Sequence, residues 1–270
     1  QRPDFQERFV QEARLAAKLD HPSIVKVHDF GKAALQGEEG ETAPGGEPQY
    51  LFIVMEYIPG DNLRKMLNDL RLHKQWVVLT EAVQIVHQVA LALEYAHNQG
   101  VVHLDIKPSN LMLKPDAEKS AESPGGLPYR VVITDLGLAQ LANAPLAGKP
   151  GSSMGTPAYM SPEQALGQKT DARSDVYSLG ILLYELSVGR VPFPARTIEE
   201  AARYHANEAA PLPRSIRPDL PATLERAILK ALHKDPGRRY SSAAEFAQAL
   251  EAFLPAIHEV AFRPEEVTQT

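Results

Sequence analysis

The stretch of residues 101–110 constrains this chain more than any other part of its sequence. It reads Val-Val-His-Leu-Asp-Ile-Lys-Pro-Ser-Asn and lies between a helical pattern at 80–98 and a short apolar run. We therefore predict that Asp105, Lys107 and Asn110 lie on a loop held by two regular elements, where catalytic side chains are commonly displayed. Taken alone, the stretch is equally compatible with an ordinary turn that Pro108 and Asn110 break.

Two further motifs follow the stretch. Thr134-Asp135-Leu136-Gly137 comes directly after the β-like run 130–133, which predicts that Asp135 lies in a turn at a strand end. Met160-Ser161-Pro162-Glu163 comes later. Together these motifs resemble those of the protein kinases, namely the catalytic loop H-R-D-x-K-P-x-N, the metal-binding turn D-F-G and the A-P-E signature. Their order and spacing also follow that family.

Bacterial serine/threonine kinases are the most similar group within the family. The similarity is carried by Gly-Thr-Pro-Ala-Tyr-Met-Ser-Pro-Glu-Gln at 155–164 and by Ala-Arg-Ser-Asp-Val-Tyr-Ser-Leu-Gly at 172–180. The resemblance implies an α+β fold of the two-lobe, protein-kinase type. Residues 1–57 would form a partial small lobe of one helix and two strands, residues 58–254 a mostly helical large lobe, and residues 255–270 a tail. The β-branched and apolar runs 24–30 and 51–56 are the two predicted strands, and the polar, Gly- and Pro-containing insertions 35–49 and 115–128 are predicted to be loops.

The resemblance also implies roles for individual side chains. Phosphoryl transfer needs charge neutralisation, in-line positioning and an acceptor for the hydroxyl proton. Asp105 would orient the substrate hydroxyl and accept its proton, and Lys107 would contact the transferred phosphoryl group. Asn110 and Asp135 would hold magnesium, which prefers hard oxygen ligands. The expected cofactors are therefore ATP and Mg²⁺.

A second group of residues is implied as neighbours of the nucleotide. The phrase Glu-Tyr-Ile-Pro-Gly at 56–60 resembles the linker between kinase lobes, whose backbone groups bind adenine. Met55, Glu56 and Ile58 would then lie beside the nucleotide, and Met112 would form the floor under adenine. A strand-to-helix turn at 56–60 and a core methionine at position 112 are the simpler alternatives.

The beginning of the chain departs from a complete kinase domain. Residues 4–19 have the apolar spacing of an amphipathic helix, and the resemblance makes Glu12 the glutamate that pairs with a strand-three lysine. A solvated helix carboxylate is the simpler interpretation of Glu12. Only eleven residues precede Glu12, and no G-x-G-x-x-G occurs. We therefore expect a small lobe that has lost its first three strands, with the Gly-rich loop and that lysine.

Three positions bear on the type of residue that is phosphorylated and on control by phosphorylation of the activation loop. Lys107 and Thr156 are typical of serine/threonine kinases, so serine or threonine acceptors on proteins are the expected substrates. Leu104 stands where many members have an arginine that binds a phosphorylated activation loop, and an aliphatic side chain cannot form that charge-assisted pair. We therefore expect Ser152 and Ser153 to be weak switches at most.

Two acidic residues are expected to have structural roles. Asp175 lies in the run 173–188, which is apolar on nearly all sides and predicts a buried helix. A buried carboxylate there must find hydrogen-bond donors. The resemblance implies that it accepts the backbone N–H groups of His103 and Leu104. Glu163 and Arg239 would form a buried ion pair that closes the activation segment.

Composition excludes several other classes. The 28 basic and 34 acidic residues give a net charge of −6, which argues against general affinity for nucleic acid. The chain has no cysteine, which excludes a disulfide framework and fits a reducing compartment, so we predict a cytoplasmic location. No apolar run approaches the length of a membrane span. The sequence leaves the oligomeric state open.

Two other functions remain open at this point. The chain is compatible with a catalytically impaired, kinase-like scaffold that binds a partner through its large lobe. A small-molecule phosphotransferase of the same fold is less favoured, because those enzymes lack the Ser-Pro-Glu phrase and the lysine at position 107.

Overall fold

Two antiparallel hairpins and a larger body of helices form the part of the chain that the structure describes. The structure is a computed structural model, and it describes residues 10–11, 13–34, 49–116, 127–136 and 156–254. Residues 10–11 and 13–16 are helical. The strands are β1 (Val27–Ala34), β2 (Gln49–Met55), β3 (Leu111–Pro115) and β4 (Tyr129–Ile133). β1 pairs with β2, and β3 pairs with β4.

Further helices follow β2, and β3 and β4 lie between the second and the third of them. They are α1 (Leu63–Leu72), α2 (Leu79–Asn98), α3 (Pro162–Ala165), α4 (Ala172–Val188), α5 (Ile198–Asn207), α6 (Pro213–Ile216), α7 (Ala222–Ala231) and α8 (Ala243–Glu251). Asn62 caps α1 by accepting the Lys65 N–H at 2.9 Å, and Asp171 caps α4 in the same way through Arg173. Within the described ranges, no helix has the length and apolarity that crossing a membrane requires.

The sequence predicted most of these elements, but it placed one strand wrongly. The apolar run 24–30 is not a single strand, because β1 begins at Val27. Ile24 instead forms a parallel bridge with Ile133 at the end of β4. The Val25 N–H donates to the Ile133 carbonyl, and the Ile133 N–H donates to the Ser23 carbonyl, both at 2.9 Å. This segment therefore joins the two hairpins.

The helix α4 forms the centre of the core. Every residue from Ser174 to Val188 is buried, so α4 has no solvent face. The neighbouring α2, α7 and α8 supply much of the surrounding apolar surface, and β3 and β4 cover one side of α2. The loop between α2 and β3, which contains residues 101–110, is consequently attached to the buried core that surrounds α4.

Gly180 allows α4 and α7 to approach closely. A Cβ atom at this position would lie 2.8 Å from the Ala231 Cβ and 3.1 Å from the Leu232 Cδ2. Glycine within a helix costs about 1 kcal/mol relative to alanine, so local helix propensity does not explain it. The explanation is the space that the facing helix requires.

We predict that Gly180→Ala destabilises the protein by about 1 kcal/mol. Overpacking a filled core costs about 1–3 kcal/mol, of which the better helix propensity of alanine returns about 1 kcal/mol. Urea unfolding measures the change. Ala231→Gly removes the atom that the new methyl group meets, so the double variant should lose less stability than the two single changes added together. Simple additivity would contradict the packing argument.

Candidate active site

Asp105, Lys107 and Asn110 meet in the loop between α2 and β3. The Lys107 Nζ lies 2.6 Å from the Asp105 Oδ2. The Asn110 Nδ2 donates to the same oxygen and to the Asp105 carbonyl, each at 3.0 Å. The side chains of Asp105 and Lys107 are 19% and 17% exposed, so a ligand can reach them from solvent. The three residues that the motif singled out therefore form one cluster.

Asp175 holds this loop in place through hydrogen bonds to its backbone. Its carboxylate is fully buried and accepts the His103 N–H at 2.8 Å and the Leu104 N–H at 2.7 Å. The His97 Nε2 lies 2.8 Å from the same carboxylate. Burial by itself raises the pKa of Asp175, but the hydrogen bonds and charge of the two histidines outweigh burial and hold that pKa below its ordinary value. The anchoring role expected for Asp175 is confirmed.

The turn that contains Asp135 is tied to the same loop. The His103 Nε2 lies 3.0 Å from the Thr134 carbonyl. Thr134 in turn donates its N–H at 2.9 Å and its hydroxyl at 3.2 Å to the Asn110 carbonyl. Asp135 has a φ of 59°, a left-handed conformation that aspartate tolerates better than most residues. The backbone thus brings the turn of Asp135 beside Asn110.

The side chains of Asn110 and Asp135 fit a hard cation. The Nδ2 of Asn110 is used by Asp105, so its Oδ1 faces away, where the exposed Ser109 hydroxyl donates to it at 3.2 Å. The Asp135 carboxylate accepts no hydrogen bond from any residue that the structure describes. One amide oxygen and one carboxylate are the type of ligand that magnesium takes from a protein before water and phosphate complete its shell.

Glu56 makes an ion pair that the sequence did not predict. Its Oε1 lies 2.6 Å from the Lys114 Nζ, and this hydrogen bond is the main reason that the pKa of Glu56 is below its ordinary value. Its backbone N–H donates to the Lys26 carbonyl at 2.8 Å. The segment after Met55 is therefore bonded both to Lys26, directly before β1, and to Lys114 in β3.

Ile58 and Met112 lie in a small apolar cluster that is separate from the main core. Ile58 is buried together with Val25 and Val132, and Met112 packs against them. Residues alternate along β3, so that Leu111 joins the main core while Met112 lies on the opposite face. Glu56, Ile58 and Met112 are thus near one side of the β3–β4 hairpin, whereas Met55 ends β2 opposite Val27 and is 37% exposed. That hairpin begins beside Asn110 and ends beside Asp135.

Some predicted positions lie outside the described residues. They are Glu12, Ser152, Ser153 and Gly137, together with most of the two polar insertions expected at 35–49 and 115–128.

Glu163 and Arg239 form the expected ion pair. The Arg239 Nη1 and Nη2 donate to the two carboxylate oxygens of Glu163 at 2.7 and 2.8 Å, and the Ser174 hydroxyl donates to Oε1 at 2.7 Å. Arg239 is 4% exposed and Glu163 is 5% exposed. Burial raises the pKa of Glu163, but the hydrogen bonds and charge of Arg239 outweigh it and place the pKa below its ordinary value.

A second, partly buried cluster beside this segment was missed by sequence reasoning. The Arg64 Nη1 lies 2.9 Å from the Glu185 Oε1, and the Tyr159 hydroxyl hydrogen-bonds both side chains. Burial, followed by the charge of Glu185, raises the pKa of Tyr159 above its ordinary value. One signal was present in the sequence, because Glu185 lies in the same apolar run as Asp175 and also needs donors. Its partners are 26 and 121 positions away, so the pattern could not name them.

The comparisons with known proteins agree with this geometry. Residues 1–252 match the family model described as the protein kinase domain. The chain belongs to the protein kinase family. A kinase domain from this family has been solved for PknI of Mycobacterium tuberculosis. It superposes with a TM-score of 0.63 at 29% sequence identity, covering 93% of this chain and 80% of that one. The expected kinase fold is therefore confirmed.

The most similar curated kinases include two bacterial serine/threonine kinases. The serine/threonine-protein kinase pkn3 of Myxococcus xanthus is 38% identical over 252 residues, which cover 91% of this chain and 41% of that protein. PknA of Mycobacterium tuberculosis is 37% identical over 250 residues, which cover 93% of this chain and 52% of that protein. The chain spans about half the length of these relatives or less.

We predict that Glu163→Gln costs about 3–5 kcal/mol of stability at pH 7, because it leaves the Arg239 guanidinium buried without a counter-charge. The folded pKa of Glu163 is depressed, so its contribution is complete above the ordinary glutamate pKa of about 4.3 and disappears as the pH falls through the folded value. The stability gap between wild type and variant should therefore narrow in acid.

Urea unfolding between pH 7 and pH 3 measures this gap. Glu208→Gln is the matched control, since Glu208 is exposed beside Arg203 and such a pair contributes about 0–1 kcal/mol. A Glu163→Gln variant that is as stable as this control at pH 7 would contradict the role of the buried pair.

Proposed function

We propose that the protein is an ATP-dependent serine/threonine protein kinase and that Asp105 accepts the proton of the substrate hydroxyl. The observation that carries this proposal is the cluster of Asp105, Lys107 and Asn110 beside the turn of Asp135. A carboxylate, a cation and two oxygen ligands for a metal are what phosphoryl transfer requires, since little covalent work is left to the protein.

The two oxygens of Asp105 have different surroundings, which supports this role. Oδ2 accepts from Lys107 and Asn110, whereas no described residue donates to Oδ1. Oδ1 is therefore free to accept a hydrogen bond from a serine or threonine hydroxyl and to take its proton as the oxygen attacks phosphorus. The contacts to Oδ2 fix the carboxylate in place, so that Oδ1 is presented in one direction.

Lys107 would lie against the transferred phosphoryl group and stabilise its charge from the side of Asp105. Magnesium, when held by the Asn110 Oδ1 and the Asp135 carboxylate, would neutralise charge on the phosphate oxygens. Met55, Glu56, Ile58 and Met112 would surround adenine, with Glu56 and Ile58 contributing backbone groups. Residues 1–57 would then belong to the small lobe and residues 58–254 to the large lobe.

A second candidate is a kinase-like binding module without catalytic activity. The 270 residues contain no G-x-G-x-x-G phrase, the loop that covers the phosphates of ATP in protein kinases, so these residues by themselves are also compatible with a binding module. Activity in the whole protein, measured with Mg²⁺, ATP and protein acceptors, separates the two candidates. If the protein is an active kinase, its expected substrates are proteins that carry serine or threonine. If it is a binding module, it binds a partner protein without phosphorylating it.

We predict that Asp105→Asn lowers phosphoryl transfer by about 10²–10⁴-fold, because the amide cannot accept the hydroxyl proton. The assay measures label from [γ-³²P]ATP on the protein itself and on myelin basic protein. Nucleotide binding should remain, since Asp105 is not expected to contact adenine or the metal. Asp219→Asn is the matched control, because Asp219 is exposed and pairs with Arg217. Unchanged labelling by Asp105→Asn would refute the proposed base.

We also predict that Asp135→Asn weakens nucleotide binding when Mg²⁺ is present but has little effect in EDTA. Asparagine tolerates the left-handed backbone of this turn at least as well as aspartate, so the variant tests the carboxylate rather than the fold. Calorimetric titration with ADP under both conditions measures the difference. An equal loss with and without magnesium would argue against a metal-binding role.

A further inference from the structure

Leu104 adopts a backbone conformation that leucine normally avoids, directly before the proposed base. Its φ is 62°, and the left-handed conformation costs about 1–2 kcal/mol for a residue with a Cβ atom. The side chain is buried, with 8% exposed. Such a conformation persists only where neighbouring groups hold it, so the contacts of the two peptide units around Leu104 decide how Asp105 is presented.

Each of these two peptide units is held by a different side chain. The unit between His103 and Leu104 donates its N–H to Asp175 at 2.7 Å. The unit between Leu104 and Asp105 is held at both ends. Its carbonyl accepts a hydrogen bond of 2.7 Å from the Gln164 Nε2, and its N–H donates to the His103 Nδ1 at 3.1 Å.

The amide of Gln164 can make this contact in only one orientation. Its Oε1 accepts the Ser161 N–H at 3.0 Å, and its own backbone N–H donates to the Ser161 hydroxyl at 3.3 Å, which together form a capping box at the start of α3. An amide oxygen cannot donate, so the Nε2 is the group that must face the Leu104 carbonyl.

We propose that Gln164 is a positioning residue for phosphoryl transfer. It fixes the peptide unit that leads into Asp105 and thereby links the Ser161–Glu163 phrase to the proposed base. A shift of residues 156–163 would then move the peptide unit before Asp105, because the Gln164 amide connects the two. This inference rests on the proposed kinase function and adds a residue that acts on Asp105 without touching the substrate.

Gln164→Glu separates this role from helix capping. Glutamate serves equally well in a capping box, so α3 keeps its cap. The substitution replaces the donor that faces the Leu104 carbonyl with an oxygen, and two acceptors repel each other. We expect kcat to fall by about 10–100-fold, as for a misplacement on the order of 1 Å, while KM for ATP stays unchanged. Gln168→Glu adds the same charge at an exposed site four residues away and should leave kcat unchanged.

A second measurement does not depend on activity. Hydrogen exchange of the Asp105 amide, followed by NMR, should be faster in Gln164→Glu, while the His103 amide, which Asp175 holds, serves as the internal reference. A loss of kcat together with faster exchange at Asp105 supports the proposal. Normal kcat, unchanged exchange at Asp105, or a loss of kcat that only follows a loss of folded protein in urea unfolding would each overturn it. If the wild type transfers no phosphate, the kinase proposal fails, and exchange at Asp105 alone decides whether Gln164 holds this peptide unit.

Discussion

The structure depends on one carboxylate that has no access to water. Asp175 lies at the start of the buried helix α4, and ionised carboxylates are tolerated there only when donors surround them. It receives two backbone N–H groups from the loop between α2 and β3 and a third contact from His97 on α2. The same contacts that satisfy this charge join α4, α2 and the loop. One buried charge therefore helps to set both the packing of α4 against α2 and the shape of the site.

The remaining polar clusters extend this arrangement from the loop toward the segment after Thr156. Gln164 joins that segment to Leu104, and the ion pair of Glu163 with Arg239 fixes it to the turn before α8. Every one of these contacts is buried or half-buried, so solvent does not screen it as it screens surface pairs. The proposed base is held by side chains from several separate regions of the chain, which explains how a loop without regular structure can present one carboxylate oxygen reproducibly.

The sequence predicted the helices better than the strands. The predicted helices at 80–98 and 173–188 match α2 and α4 to within one residue at each end, because the apolar pattern of each run is recorded in the local sequence. The run 24–30 was wrong because Ile24 pairs with Ile133, more than 100 positions away, and no local pattern records such a partner. The site shows the same division. The cluster around Asp105 followed from a contiguous motif, whereas the pair of Glu56 with Lys114 joins residues 58 positions apart.

The parallel bridge between Ile24 and Ile133 has a mechanical consequence. Two backbone hydrogen bonds couple the segment that follows the first helical residues to the last residue of β4. Ile133 is only two positions from Asp135, so a shift of the amino-terminal region pulls directly on the proposed metal ligand. The position of that ligand relative to Asp105 is thus set partly by residues 23–25, which act through two hydrogen bonds and the two residues of backbone that follow Ile133.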